Sequence, residues 1–331
     1  MAEDRPGEFD LIRRFFAPLA TDPGSLGLTD DAAVLSPRAG MDLVLTKDVL
    51  AADVHFFSQD APEAVAAKAL RVNLSDLASK GARPLGYLLG LALPSDWNTD
   101  WLERFCKGLA GDQAAYDVHL LGGDTIRSGE TLQISVTAIG EVDEGGAVRR
   151  CGARPGDLLF VTGTIGDGAA GLQARLHSGY CEAHGLSEAE EKHILCRYLL
   201  PQPRTRLAPV LLQYASAAMD VSDGLFADSG HLSGASDVEI VIDMEKVPLS
   251  GSLERLRTAA PDEFLRCLDG GDDYEILATV SPDNAAAFKG QAEAAGCPVS
   301  QIGTIVEGKP GVRLLDDGRP VDLSKRGFRH F

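Results

Sequence analysis

Between Pro62 and Ser79 the chain reads PEAVAAKALRVNLSDLAS, and Val65, Ala69, Val72 and Leu77 keep close to one face. That spacing predicts an amphipathic helix. Pro62 suits its first turn, and Gly81 lies just past its end. Phe9 to Leu19 carries apolar residues at Phe9, Ile12, Phe16 and Leu19 and reads as a shorter helix. "AAVLS" and "DLVLT" are strand-like runs on either side of the turn "PRAGM". "LGYLLGLALP" reads as a buried strand, followed by a helix near Thr99–Tyr116, a strand into "HLLGGDT" and an alternating strand, "TLQISVTAIGEV".

The second half opens with a turn and a buried strand, "RPGDLLFVTG", and then helices near 169–176, 188–199 and 204–214. Further on, "DYEILATVSPDNAAAFKGQAEAAGCPVSQIGTI" gives strand, proline turn, helix, strand, with Ser281 as cap, Pro282 at the first position and Gly296 at the end. "GYLLGLALPSDWNTDWLERFCKGLAGDQAAYDVHLLGG" has the same order. This repeat of architecture predicts two α/β domains, residues 1–146 and 147–331. They meet in the glycine- and charge-rich stretch between Val142 and Gly156.

Composition narrows what such domains serve. Thirty-one Lys plus Arg stand against 49 Asp plus Glu, a net charge of −18. Nucleic acid and anionic membrane both need a positive footprint, so neither is expected as a partner. The six cysteines form no C-x-x-C pair, which points to reduced thiols in a cytoplasmic protein. The opening "MAEDRPGEFDLIRRFF" lacks the pattern of a secretory signal, and no stretch approaches the length of a membrane span.

The acids are not scattered at random. Asp30 and Asp31 in "GLTDDAAVL", Asp48 in "LVLTKD", Asp76 in "NLSDLASKGA", Asp124 in "LLGGDT" and Asp220 with Asp223 in "MDVSDGL" share a context. Each ends or follows an apolar run beside a glycine or small residue, and strand ends of α/β sheets are where ligands bind. Two unit charges 4 Å apart repel by about 4 kcal/mol at an effective dielectric of 20. Five or six gathered carboxylates therefore need a cation. Oxygen donors without His or Cys favour Mg2+ over Zn2+, and Mg2+ is bound together with substrate phosphates. Gly122 and Gly123, Gly163 and Gly166, and Gly270 and Gly271 allow close approach of backbone to such a ligand. Asp228, later in the same stretch, is expected to be solvated. No P-loop or kinase catalytic-loop signature is present, and "VTGTIGDGAAG" misses the dinucleotide spacing.

In order along the chain, "GEFDLI", "TDDAAVL", "NLSDLASKGARP", "LLGGDT", "GARPGDLLFVTG", "DVSDGL", "GGDDYEI" and the terminal "GFRHF" resemble the thiamine-monophosphate kinase family. That family belongs to the aminoimidazole ribonucleotide synthetase-like superfamily. The resemblance implies an α/β (α+β) two-domain fold, in which N-terminal domains of a homodimer pair into a β-barrel and each C-terminal domain is α/β. It implies ATP-dependent phosphorylation of thiamine monophosphate to thiamine diphosphate with several Mg2+ ions. By this likeness the metal positions are Asp31, Thr46, Asp48, Asp76, Asp124, Asp220 and Asp223. ATP would meet Gly123, Asp124, Arg150 and Ser222. His55, Asp272 and Phe328 fall on positions linked to the thiamine substrate.

Two departures stand out. Lys47 occupies a position where the family pattern has a small hydroxyl residue; pointing inward, it would replace one metal or neutralise phosphate. Asp272 stands where the family often has Glu. Two alternatives stay open: another ATP-using enzyme of the superfamily, and a non-catalytic relative that binds nucleotide or metal. A reactive cysteine near the N-terminus, expected of the selenium branch, is missing, since the first cysteine is Cys106.

Overall fold

The computed structural model describes residues 6–321. Two compact units make up the chain. Unit 1 comprises Ala82–Gly146 and the described chain up to Leu77; unit 2 comprises Ala78–Gly81 and the described chain from Ala147.

Unit 1 is built on β1 (Met41–Ala51), α1 (Pro62–Ser79), β2 (Arg83–Leu93), α2 (Thr99–Tyr116), β3 (His119–Arg127) and β4 (Gln133–Asp143). Its sheet runs β1-β4-β2-β3, with β2 and β3 parallel and the other pairs antiparallel. The parallel pair needs a crossover, and α2 supplies it. The predicted helix at 62–79 forms with those bounds. It is buried on most of its circumference, Ala66, Ala69, Leu70, Leu74 and Leu77 being inaccessible. Small residues let α1 and α2 approach closely: a Cβ on Gly108 of α2 would lie 2.6 Å from the Glu63 carbonyl oxygen. Two guanidinium forks tie the helices together. Arg71 bonds the buried Asp112 at 2.8 and 2.7 Å, and Arg104 bonds Glu63 at 2.9 Å through each of two nitrogens. The planar fork matches a carboxylate in two places at once.

Two sequence expectations differ from the structure here. The Phe9–Leu19 helix is broken into an α turn (Glu8–Leu11), a π segment (Ile12–Phe16) and a 3-10 turn (Ala17–Leu19). Pro18, within the last segment, cannot supply the N–H that a continuing helix needs. "AAVLS" forms no strand; Val34 is 61% exposed and its N–H bonds Gly24 in the preceding loop.

Unit 2 contains β5 (Leu158–Thr162), α3 (Asp167–Leu176), α4 (Glu188–Leu199), α5 (Ala208–Tyr214), β6 (Ala215–Val221), α6 (Leu225–Ser236), β7 (Glu239–Asp243), α7 (Gly251–Ala259), α8 (Pro261–Asp269), β8 (Glu275–Val280), α9 (Pro282–Ala294), β9 (Val299–Val306), β10 (Gly311–Asp316) and β11 (Arg319–Val321). The seven strands order as β11-β10-β7-β9-β5-β8-β6. Strand alternation feeds a core on each face. Leu159 and Val161 of β5 join the core with α3, α6, α7 and α8, whereas Phe160 joins α5 and α9 on the other side. There Phe160 meets Phe288 edge-on at 5.3 Å, a pairing worth about 0.5–1.5 kcal/mol beyond area burial. Pro282 opens α9 as expected, but Ser281 makes no side-chain cap. Among the described residues no helix is long and apolar enough to cross a membrane.

Candidate active site

In unit 1, the two-residue period of β1 sends Thr46 and Asp48 to the same side of the sheet. Thr46 Oγ1 donates to Asp76 Oδ2 from the last turn of α1. The Asp48 N–H donates to Asn73 Oδ1 at 3.1 Å, and Asn73 in turn is anchored to the Ala69 carbonyl at 3.0 Å. Burial pushes the Asp48 carboxyl up to about 6, and the neighbouring charge of Asp76 adds to the shift. A hydroxyl and two carboxylates, half-buried and repelling one another, form an oxygen-only donor set of the kind that suits Mg2+.

Lys47 has the opposite orientation. Its Nζ donates to Ser135 Oγ on β4 at 2.8 Å, so it does not enter the Thr46–Asp48–Asp76 group. The strand register also separates Asp124 from that group. Val49 pairs Ser135, Ser135 pairs Gly90 and Gly90 pairs Asp124, so Asp124 falls in the row that includes Ser135. Beside it, a Cβ at Gly123 would sit 1.9 Å from the Leu89 carbonyl oxygen, which only glycine avoids. Asp31 is exposed after the Pro23–Leu28 segment, its N–H donating to Asp30 Oδ1 at 2.8 Å. His55 is exposed in the turn after β1, and its Nδ1 accepts the Ala51 N–H at 3.1 Å, leaving the proton on Nε2.

In unit 2, β6 ends with Asp220, 4% exposed, and Val221. The turn Ser222–Asp223–Gly224 then leads into α6. Asp228, one turn into that helix, is not solvated as expected but 1% exposed. Helix side chains tilt toward the N-terminus, and this one reaches back so that its Oδ2 accepts the N–H groups of both Ser222 and Asp223 at 2.9 Å. Burial, first among several influences, raises its carboxyl to about 6. Donor atoms of Asp223, Asp228 and His231 lie within 4.8 Å of one another.

The segment "GGDDYEI" is laced onto that turn. The Asp272 N–H donates to the Ser222 carbonyl at 2.9 Å and the Tyr274 N–H to the Val221 carbonyl at 2.8 Å. A Cβ on Gly271 would be 2.0 Å from the Ser222 oxygen. The next residue, Asp273, is fully buried and turned to the N-terminus of α3, accepting Gly166 N–H at 2.7 Å and Gly168 N–H at 3.0 Å. Burial raises its carboxyl to about 8. Arg150 is exposed, and its carbonyl accepts Ser236 Oγ at 3.1 Å. Phe328 lies outside the described residues.

Known proteins bear on this arrangement. The AIR synthase related protein family models match over residues 29–142 for the N-terminal domain and 154–315 for the C-terminal domain. A thiamine-monophosphate kinase of Caulobacter vibrioides is 45% identical over 329 residues, covering 98% of this chain and 91% of its own. The solved thiamine-monophosphate kinase of Stenotrophomonas maltophilia superposes with a TM-score of 0.82 at 39% identity, covering 95% of this chain and 98% of its own. The chain belongs to the thiamine-monophosphate kinase family of enzymes. A further family structure, "AaThiL complexed with AMPPCP and TMP", has a TM-score of 0.76 at 35% identity and covers 91% of each chain.

For a thiamine-monophosphate kinase family member, the fold is the two-domain mixed α/β architecture of the AIR synthase relatives. The four-stranded sheet of unit 1 is open within this one chain, not a closed barrel. Sequence reasoning took Asp228 for a solvated acid and passed over Asp273 and Asn73. The acids of "DVSDGLFADSG" and the doubled Asp of "GGDDYEI" carried a signal, but nothing local distinguishes an acid that faces a ligand from one that holds a loop.

Proposed function

We propose that this chain transfers the γ-phosphoryl group of ATP to the terminal phosphate of thiamine monophosphate, releasing ADP and thiamine diphosphate. The gathering of Thr46, Asp48 and Asp76, with the Asp48 carboxyl raised to about 6 by burial and by Asp76, carries this reading. The family structure solved with AMPPCP and TMP supports the choice of ligands. An oxygen of the acceptor phosphate attacks the γ-phosphorus as the bond to the β-phosphate oxygen breaks, in line and without a phosphoenzyme. The acceptor is already an anion at neutral pH, so no strong general base is required, and positioning carries the reaction.

Thr46, Asp48 and Asp76 would hold Mg2+, as would Asp31, Asp124, Asp220 and Asp223, and several such ions would neutralise the converging phosphates. Gly123, Asp124, Arg150 and Ser222 are the proposed ATP contacts. Asp228 and the backbone of "GGDDYEI" keep the Ser222 turn in place. His55, Asp272 and Phe328 are the proposed contacts to thiamine. Of Lys47 and Asp272, the two departures that favour a non-catalytic relative, Lys47 faces Ser135, away from Asp48 and Asp76.

A homodimer is part of the same proposal. Leu43, Leu45, Val49, Leu88 and Ile126 are 38–61% exposed. β1 parity and the strand register put them on the sheet face that carries Lys47 and Ser135. Pairing two such faces would close a barrel and cover the apolar surface. A cytoplasmic setting suits the six free thiols.

Phosphorus NMR of the protein with ATP, Mg2+ and thiamine monophosphate tests the reaction. Thiamine diphosphate and ADP are expected together. Accumulation of ADP and inorganic phosphate alone would show that the acceptor is wrong.

A further inference from the structure

Between β1 and α1 the chain makes a turn whose tip, Asp53, Val54 and His55, is exposed. Core packing does not hold that tip. Val54 is 74% exposed, and the buried residues are the flanking Ala52 and Phe56, 6% and 2% exposed. Hydrogen bonds shape it instead. A single bridge pairs Ala52 with Phe56, and the Asp53 N–H donates to the Phe56 carbonyl at 2.6 Å. The N–H groups of Val54 and His55 both donate to the Ala51 carbonyl, at 3.3 and 3.0 Å.

One side chain straps the turn shut. Asp53 Oδ1 accepts the Ser58 N–H at 3.0 Å, and Oδ2 accepts Ser58 Oγ at 2.5 Å. The Ser58 hydroxyl, and then its N–H, hold the Asp53 carboxyl below the usual carboxylate range. Bonds to an ionised acceptor of this kind are stronger than neutral ones. Asp53 has φ +62°, a conformation that Asp adopts more readily than most residues. His55 lies inside the strapped segment, and its Nδ1 accepts the Ala51 N–H at 3.1 Å where β1 ends. In a neutral imidazole that leaves the proton on Nε2, and the two ring nitrogens point in divergent directions. The turn therefore fixes both the tautomer of His55 and the direction of its Nε2–H.

We infer that Asp53, acting through Ser58, is a positioning residue: it preorganises His55 as an Nε2–H donor to a hydrogen-bond acceptor of thiamine monophosphate. The inference rests on the proposed contact between His55 and that substrate. Ordering an exposed turn before the ligand arrives takes the entropy of ordering out of the binding step. Loss of the strap is thus expected in the KM for thiamine monophosphate, with kcat and the KM for ATP preserved.

Asp53→Gly is the informative variant, because glycine accepts the positive φ and only the carboxylate is lost. In the full chain without substrate, the ring nitrogens of the seven histidines are read by NMR at about pH 8, where an ordinary histidine is neutral. His55→Ala assigns the His55 signals by their loss. The unaltered chain is expected to show one protonated and one unprotonated nitrogen at His55, and Asp53→Gly to move both shifts toward the average of the two tautomers. In steady-state kinetics Asp53→Gly should raise the KM for thiamine monophosphate about fivefold, with kcat and the KM for ATP within about twofold of their original values. Asp53→Asn keeps an acceptor oxygen and tolerates the same φ, so it should recover most of that loss. In a His55→Ala background Asp53→Gly should add less than about twofold, since the two residues act through one contact. Ring nitrogens unmoved in Asp53→Gly, or a rise in KM as large without His55 as with it, overturn the inference. A normal KM in His55→Ala overturns it too, by removing His55 from the substrate site, and the nitrogen shifts tell that failure from the first.

Discussion

The Asp228 carboxylate accepts the backbone N–H of Asp223 at 2.9 Å. The same oxygen holds Ser222, so one buried side chain sets the turn on which two proposed ligand contacts stand. Asp228→Ala removes both bonds and leaves two loop donors to find other partners, at about 1–3 kcal/mol. A lower melting temperature and a loss of kcat/KM of at least about tenfold are expected together. Asp228→Asn keeps a carbonyl oxygen for the turn and should lose far less of both. Equal behaviour of the two variants would show that the charge, not the acceptor, matters.

Asp76→Asn should cut turnover by orders of magnitude while the melting temperature without Mg2+ holds or rises. The substitution removes one of two repelling carboxylates in a half-buried site. The Mg2+-dependent gain in melting temperature should shrink in parallel. Full activity in this variant would remove the unit 1 group from the mechanism.

Lys47→Thr, by contrast, should change kcat/KM by no more than about twofold, because the ammonium faces Ser135 rather than Asp48. Steady-state kinetics decides. A loss as large as that of Asp76→Asn would place Lys47 in the reaction after all.

Asp273 gives a pH dependence whose sign can be worked out. Burial raises its carboxyl from 3.8 to about 8, so the folded state holds a proton that the unfolded state has released across that window. Stability from this group is greatest at the acid end and falls as pH rises from about 4 to about 8. Denaturant titrations across that range should show a shallower pH slope in Asp273→Asn. An unchanged slope would mean that the carboxyl ionises normally in the fold.

Replacing Leu45 and Ile126 together by Glu should convert the proposed dimer to monomers in sedimentation equilibrium, since both project from the apolar sheet face. Dimers persisting in the double variant would show that the subunits meet elsewhere.

Much of this was legible in the residues. The α1 helix carries its own start, stop and periodicity, which places Asp76 on its last turn. In β1, strand parity alone puts Lys47 opposite Thr46 and Asp48. "AAVLS" shows the limit of local pattern. It is as apolar as "DLVLT", yet β1 has β4 beside it for its hydrogen bonds and Val34 has only a loop carbonyl. Strand formation depends on a partner, and the partner lies about a hundred residues away in the case of β1.

The sequence by itself determined the helix at 62–79, the strands and crossover helix that follow it in unit 1, the acidic motifs and the family. These depend on residue type and spacing along one chain. Tertiary structure alone decided which acids serve which end. Asp223 and Asp228 are five residues apart, and Asp272 and Asp273 are adjacent, yet one of each pair is buried as a support. That division follows from positive φ at Asp272 and Tyr274, from the tilt of Asp228 under its own helix, and from backbone N–H groups brought close by folding. A carboxylate's role is set by what surrounds it, and those surroundings come from distant parts of the chain.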